Sequence, residues 1–271
     1  QKIDISFDLP EIHDEFFSWL SRRPGGQRIF ALLQLGETHA AERELRYLWK
    51  EMPDKYRFGV MRFASERGMA GLSFRIAEII RKDTGVSWYG ALYPHPQFKA
   101  EYLIDEALVW SISRQESGFN PRAKSRAKAA GLMQLMPSTA SFIARDRSYR
   151  DRKRHQLFEP ALNLKLGQTY IKHLLDEQHI DNSLIRLLVA YNGGPGNLRK
   201  WLRKINHHGD PLLLMESIPA RETRYYVKNV VSNLGMYRQR FNQTAPALIG
   251  LAAGNGGQFV SSKSGEKTPN N

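Results

Sequence analysis

The chain contains no cysteine, which excludes disulfides, thiolate metal sites and a cysteine nucleophile. No apolar run approaches the roughly 18 residues that a membrane-crossing helix needs, so no transmembrane segment is expected. The 8 histidines are scattered, and His207-His208 stands without a carboxylate at ligand spacing; neither a metal site nor a cofactor is expected. Acid is scarce, with 27 Asp and Glu against 40 Lys and Arg and a formal net charge of +13. A signal peptide is also missing, because Gln1-Lys2-Ile3-Asp4-Ile5 has no apolar core. The expectation is that a targeting segment has been removed or that the chain starts inside a longer protein.

What is present suffices for one large or two ordinary domains: 271 residues, 41% of them hydrophobic. The charge is unevenly placed. Residues 1–100 carry 15 Lys and Arg against 13 Asp and Glu, whereas residues 101–271 carry 25 against 14. The second part therefore projects a field that attracts a polyanion. No recognised nucleic-acid motif and no Arg-Gly tail accompany it, so nucleic acid is not the expected partner.

Helical periodicity runs through the first part. Phe16, Phe17, Trp19 and Leu20 share one face, then Ile29, Leu32 and Leu33, then Leu45, Leu48 and Trp49, then Tyr56, Val60, Met61 and Ala64, and last Leu72, Ile76, Ile79 and Ile80. Gly36 and Gly68 each separate two such helices and lie 32 positions apart, near the roughly 34-residue period of helical-hairpin repeats. Residues 1–93 thus read as a solenoid-like or linker region. Its expected role is a scaffold, with a surface for a cell-envelope protein partner as the alternative. The aromatic, proline-rich stretch around Tyr93-Pro94-His95-Pro96 marks the boundary.

A second helical domain is expected over 94–243. Its first helix ends near Glu116, because Gly118 and Asn120-Pro121 break the pattern. A carboxylate there faces the negative end of the helix dipole, which opposes ionisation and suits a general acid; a solvated Glu on a frayed end is the plain alternative. Pro137 starts a helix with Phe142 and Ile143 facing inward. Asp146 to Arg154 reads as a solvated loop. Ser183 caps a helix that is apolar nearly all round and so is expected at the domain centre. Residues 244–271 read as a disordered tail.

The residues around these features follow a recognisable order: Glu116-Ser117, then Gly131-Leu132-Met133-Gln134, then Ala190-Tyr191-Asn192-Gly193-Gly194, then Glu222-Thr223-Arg224 running into Tyr226-Val227-Lys228. This order resembles the catalytic domain of the family 1 soluble lytic transglycosylases, bacterial cell-wall enzymes with a goose-type lysozyme-like fold. The match spans roughly Tyr93 to Phe241, and one departure is Gly193 where the family usually has Ala. The resemblance implies a mainly α fold, a helical region followed by a lysozyme-like catalytic domain. It implies peptidoglycan glycan strands as substrate and the periplasm as location.

In the implied reaction Glu116 protonates the glycosidic oxygen and the acetamido carbonyl of N-acetylmuramic acid stabilises the anomeric centre. Glu116 then deprotonates the 6-hydroxyl, giving a 1,6-anhydro end without water. Ordinary glycosidases use two carboxyls; the motif supplies one, and the next acids after it are Asp146 and Asp151. The other site residues carried over each have a plain alternative. Ser125, nine positions after Glu116, either bonds the acid or sugar or is a turn serine. Met133 and Met136 either line the sugar cleft or fill the core. Gln134 meets a sugar hydroxyl or the backbone. Tyr191 orients near the scissile bond or packs in the core, and Asn192 binds substrate or only ends a helix. Glu222 is a substrate ligand or a first-turn Glu favoured by the dipole. Arg224, with Lys228, meets substrate carboxylates or forms surface pairs. A goose-type lysozyme-like hydrolase and a non-catalytic wall-binding module remain as the alternative functions.

Overall fold

In the computed structural model, which describes residues 5–254 and 257–259, the helical periodicity is realised along the chain and no extended strand occurs among the described residues. No helix there is long and apolar enough to cross a membrane. The fold is mainly α, and the chain divides into two units, Gln1–Gln97 and Phe98–Asn271.

The first unit comprises α1 (Asp14–Ser21), α2 (Pro24–Gln34), α3 (Thr38–Leu48), α4 (Arg57–Glu66), α5 (Ala70–Thr84) and the short α6 (Tyr89–Leu92). Helices α2 and α3 form one hairpin and α4 and α5 another. Gly36 turns the first and Gly68 the second, with φ of 75° and 72°, a region open to glycine without steric cost. Phe16 is the hub of the unit's core, with its ring 5.4 Å from Phe17 and 5.9 Å from Phe63.

The second unit holds α7 (Glu106–Ser117), α8 (Pro137–Ile143), α9 (Pro160–Leu175), α10 (Leu184–Gly193), α11 (Pro195–Lys204), α12 (Pro211–Ser217), α13 (Arg221–Arg240) and α14 (Pro246–Ala252). Helix α10 is central: Leu184, Ile185, Leu187, Leu188, Val189 and Ala190 have no exposed surface, and α9, α11, α12 and α13 all pack against it. Its start is capped by Ser183.

Helix α13 lies along α7 and is locked to it by buried polar groups. Asp105, the N-cap of α7, is ion-paired with Arg238 of α13, and both side chains are almost fully buried. One and a half turns back, Arg114 donates to Asn233 Oδ1 at 2.9 Å, and Asn233 Nδ2 donates to the Ser111 carbonyl at 3.3 Å. The segment before α7 is tied down by the buried Gln168, whose amide oxygen accepts from Leu103 N–H at 2.7 Å and whose amide donates to the Glu101 carbonyl at 2.9 Å.

Two expectations are corrected. The segment from 244 onward is not simply a tail. Pro246–Ala252 is a helix, Ala247, Leu251 and Phe259 are buried, and Phe259 N–H donates to the Asn182 carbonyl at 2.6 Å. Three apolar contacts and a backbone bond at the start of α10 outweigh the polar composition there; residues 260–271 lie outside the described residues. Phe142 does not face inward: it is 59% exposed and meets His173 edge-on at 5.0 Å.

Removing one partner of a buried ion pair leaves the other charge uncompensated, at a cost of about 3–5 kcal/mol. Arg238→Met is therefore expected to lower unfolding free energy by that order in urea titrations, and Asp105→Asn combined with Arg238→Met to lose markedly less than Arg238→Met alone.

Candidate active site

Glu116 lies in the last turn of α7, which ends because Gly118 adopts a left-handed conformation (φ 54°) and returns its N–H to the Arg114 carbonyl. The carboxyl is largely enclosed, and its pKa is raised to about 7. Burial is the main cause, since removal from water disfavours the charged form; the negative charge of Glu222 adds to it, while the Tyr226 hydroxyl pulls the other way. Tyr226 Oη is buried and makes no hydrogen bond of ordinary geometry, yet it approaches the carboxyl closely enough to favour its ionised form. Tyr191 and Tyr226 are both held well above the usual tyrosine range, first by burial and next by the charge of Glu116. Both phenols are therefore donors at neutral pH.

The loop from Phe119 to Met136 forms the adjoining wall, and one side chain fixes it. The buried Asn163 of α9 donates to the carbonyls of Ala130 and Leu157 at 2.9 and 2.8 Å, and accepts from the Met133 N–H at 2.8 Å. Gly131 must be glycine here, because φ is 80° and a Cβ would lie 2.3 Å from both Asn163 Nδ2 and the Leu157 carbonyl oxygen. The wall is joined to α10 by Tyr191, whose hydroxyl donates to the Met133 carbonyl at 2.8 Å while its ring lies 5.6 Å from Tyr170.

Helices α10 and α13 meet at the third and fourth motifs. Thr223 donates its hydroxyl to Asn192 Oδ1 at 2.8 Å, so Asn192 is a strut between helices as well as a residue near a helix end. Gly193 faces the indole of Trp201, and a Cβ there would stand 3.2 Å from its ring. The glycine is thus matched to the tryptophan that occupies the space. Glu222 is exposed in the first turn of α13 and is felt electrostatically at Glu116.

The structure brings Glu116, Tyr191, Glu222 and Tyr226 into one electrostatic neighbourhood. Other expected site residues are used differently. Met133 does not line a cleft: it is fully buried, with its sulfur where a Cβ on Gly167 would be 2.3 Å away, and only its backbone serves the site, through Tyr191. Met136, by contrast, is 38% exposed at the start of α8. Ser125 does not bond Glu116; its Oγ accepts from the Ala129 N–H at 3.0 Å and closes a turn. Gln134 donates to the Ala123 and Gly131 carbonyls at 3.0 and 2.8 Å, and its φ of 46° marks the tightness of that loop. Arg224 is spent on the Ile218 and Pro219 carbonyls just ahead of α13, and Lys228 pairs with Glu216 at 2.7 Å. Both are thus engaged within the chain, Arg224 by backbone carbonyls and Lys228 by a surface acid.

Two residues that matter were not singled out in the sequence. Tyr226 stands one helical turn beyond Glu222, on the face of α13 that meets α7, and that i, i+4 spacing was the available signal. Asn163 gave none beyond being polar on the apolar face of α9. A cavity of about 480 Å³ in the first unit is walled by Phe16, Tyr56, Phe58 and Trp88, and its Glu15 carboxyl is held below the usual range by the hydrogen bond from Lys55.

Residues 97–212 match the family described as Transglycosylase SLT domain. The chain is 40% identical over 141 residues to a soluble lytic murein transglycosylase of Salmonella typhimurium, covering 52% of this chain and 22% of that protein. With the soluble lytic murein transglycosylase of Escherichia coli K12 it is 39% identical over 136 residues, covering 50% and 21%. The chain thus spans about a fifth of the length of these relatives. In structure it is similar to the 70 kDa soluble lytic transglycosylase of Escherichia coli (TM-score 0.70, 27% identity, 88% of this chain and 39% of that one). A complex of a 70 kDa soluble lytic transglycosylase with bulgecin A gives a TM-score of 0.70 at 27% identity over 87% and 38%. The all-α, lysozyme-like fold agrees with these neighbours.

The raised pKa has a consequence for stability. A carboxyl of pKa about 7 in the fold and 4.5 in the free chain contributes its full stability below pH 4.5 and loses it as pH rises through 7, because the folded state holds the proton more tightly. Glu116→Gln is expected to equal the parent at pH 4 and to exceed it by about 2–3 kcal/mol at pH 8, read from denaturant unfolding. An equal difference at both pH values would mean that the carboxyl is not desolvated.

Proposed function

We propose, from the match of residues 97–212 to the family described as Transglycosylase SLT domain, that the chain cleaves the β-1,4 bond between N-acetylmuramic acid and N-acetylglucosamine in peptidoglycan without water. The products carry 1,6-anhydro-muramoyl ends, and the place of action is the periplasm. The observation that carries this reading is a single enclosed carboxyl, Glu116, balanced near pKa 7 by burial and Glu222 on one side and the Tyr226 hydroxyl on the other.

A group with that pKa is present in both forms at neutral pH, which suits acid work followed by base work. As an acid, Glu116 gives its proton to the glycosidic oxygen as the C1–O bond breaks, and the substrate's acetamido oxygen closes on C1. As a carboxylate, it takes the proton of the 6-hydroxyl, whose oxygen displaces the acetamido group at C1. The proton count is restored, and Glu116 ends as it began. Tyr226, as a phenol, stabilises the carboxylate between the two steps. Tyr191 ties the Met133 wall to α10. The names of the relatives support the substrate class, and the pairing of one enclosed acid with two protonated phenols supports a substrate-assisted route over a two-carboxylate one.

Mass spectrometry of digested sacculi tests the reading. Ends lighter by one water than reducing ends are expected from the parent, and Glu116→Gln is expected to release neither kind; reducing ends alone would point to Glu222 acting as base for a water. The pH profile is a second test. Activity that needs the protonated acid falls as pH rises through about 7. Glu222→Gln removes a charge that raises this pKa, so its alkaline limb should move to lower pH. Tyr226→Phe removes a group that lowers the pKa and should move the limb upward.

A further inference from the structure

The cavity in the first unit takes no part in the chemistry proposed for Glu116, and every residue that lines it lies between Pro10 and Trp88. Its volume of about 480 Å³ falls within the roughly 300–1,000 Å³ that small-molecule sites occupy.

Its walls are made of rings. Phe16 is buried, and a Cβ on the neighbouring Gly59 would stand 3.0 Å from Phe16 Cγ, so backbone and ring meet directly there. Tyr56, Phe58 and Trp88 are half-buried, and each keeps part of its ring surface open. Phe58 and Trp88 meet edge-on, 6.1 Å apart with planes at 73°, and Tyr56 lies 6.1 Å from Phe16 at 59°. Aromatic surface is therefore offered in more than one direction. Rings left open in this way forgo the dispersion contacts that close packing supplies, and packing alone would have filled the space.

The rim is polar and nearly balanced in charge. Glu11, His13, Glu15 and Lys55 line it and are exposed. Lys55 Nζ pairs with Glu15 at 3.0 Å and stands 4.9 Å from the centre of the Tyr56 ring. This arrangement discriminates among ligands. An organic cation would meet a ring already approached by the Lys55 ammonium and an acid already paired with it. An anion would meet the Glu11 and Glu15 carboxylates. An acyl chain would cover the rim groups without bonding them. An uncharged pyranose satisfies every part: its C–H faces pack on the rings, and its hydroxyls donate to the carboxylates and accept from Lys55. The second direction of aromatic surface receives a substituent methyl, such as that of an acetamido group.

We propose that this cavity is a saccharide site for a short stretch of uncharged, β-1,4-linked N-acetylhexosamine, built by residues other than those around Glu116. The proposal does not depend on the reaction at Glu116.

The test uses the full chain with Glu116→Gln, so that the probe is not turned over, and the β-1,4-linked trimer of N-acetylglucosamine. The readout is the Trp88 indole N–H signal in ¹⁵N NMR, identified by its loss in Trp88→Phe. A saturable shift of that signal is expected, with a Kd on the order of 1 mM. Phe58→Ala is expected to raise that Kd about tenfold. Glu11→Ala with Glu15→Ala, both exposed and so safe for the fold, should raise it by a similar factor through lost charged hydrogen bonds. The absence of a saturable Trp88 shift, or a Kd unchanged in the double carboxylate variant, overturns the proposal. So does a saturable shift given by tetramethylammonium or by hexanoate and not by the trimer, since the cavity would then take a cation or an acyl chain. Anhydro ends in sacculus digests are scored separately: their absence refutes the reading of Glu116 and leaves the Trp88 result standing.

Discussion

The contact between α7 and α13 is the constraint on which the second unit depends. Glu116 is desolvated because α13 lies over the end of α7, and α13 is held there by Asp105 with Arg238 and by Asn233 with Arg114 and Ser111. The same helix brings Tyr226 and Glu222 to the carboxyl from one side, so one rod sets both the position of the acid and its proton affinity. A surface glutamate would titrate two to three units lower, where it is a poor acid at neutral pH.

The four sequence motifs are also four contacts. The first ends α7. The second is a loop fixed by Asn163, and Tyr191 of the third reaches it through the Met133 carbonyl. Thr223 of the fourth reaches Asn192 of the third. The second, third and fourth motifs are thereby linked in one chain of hydrogen bonds, and Tyr191 and Tyr226 carry it to the neighbourhood of Glu116. The departure at Gly193 fits the close approach of Trp201, whose ring a methyl there would crowd at 3.2 Å.

Much of this architecture was legible in the residues. Three- and four-residue apolar spacing marks α1 to α5 and α10, and Gly36 and Gly68 mark their turns, since local chain geometry decides such features. Glu116 was legible as well, by its place before Gly118 and by the order of the motifs. What was not legible was which polar atoms of the second motif are consumed internally. Met133 and Met136 are the same residue type three positions apart, yet Gly167 lets one sink into the core while the other caps α8 in the open. Arg224 looked like a ligand for anions because its carbonyl partners lie in a bend whose geometry depends on α12 and α13 together. Tyr226 was hidden for the opposite reason: on α13 it looks like one more buried aromatic, and only the approach of α7 gives its hydroxyl a task.

Asn163 carries a wider implication for how this site can vary. Its amide supplies two donors and one acceptor to three backbone groups of the loop and its support. Aspartate of the same shape would lose both donors, and leucine would strand the Met133 N–H and the Leu157 carbonyl, while the Ala130 carbonyl would keep only the Leu135 N–H. The freedom of the loop beside Glu116 to change is therefore rationed by a residue on another element, and the helix carrying it must be inherited along with the loop it steadies.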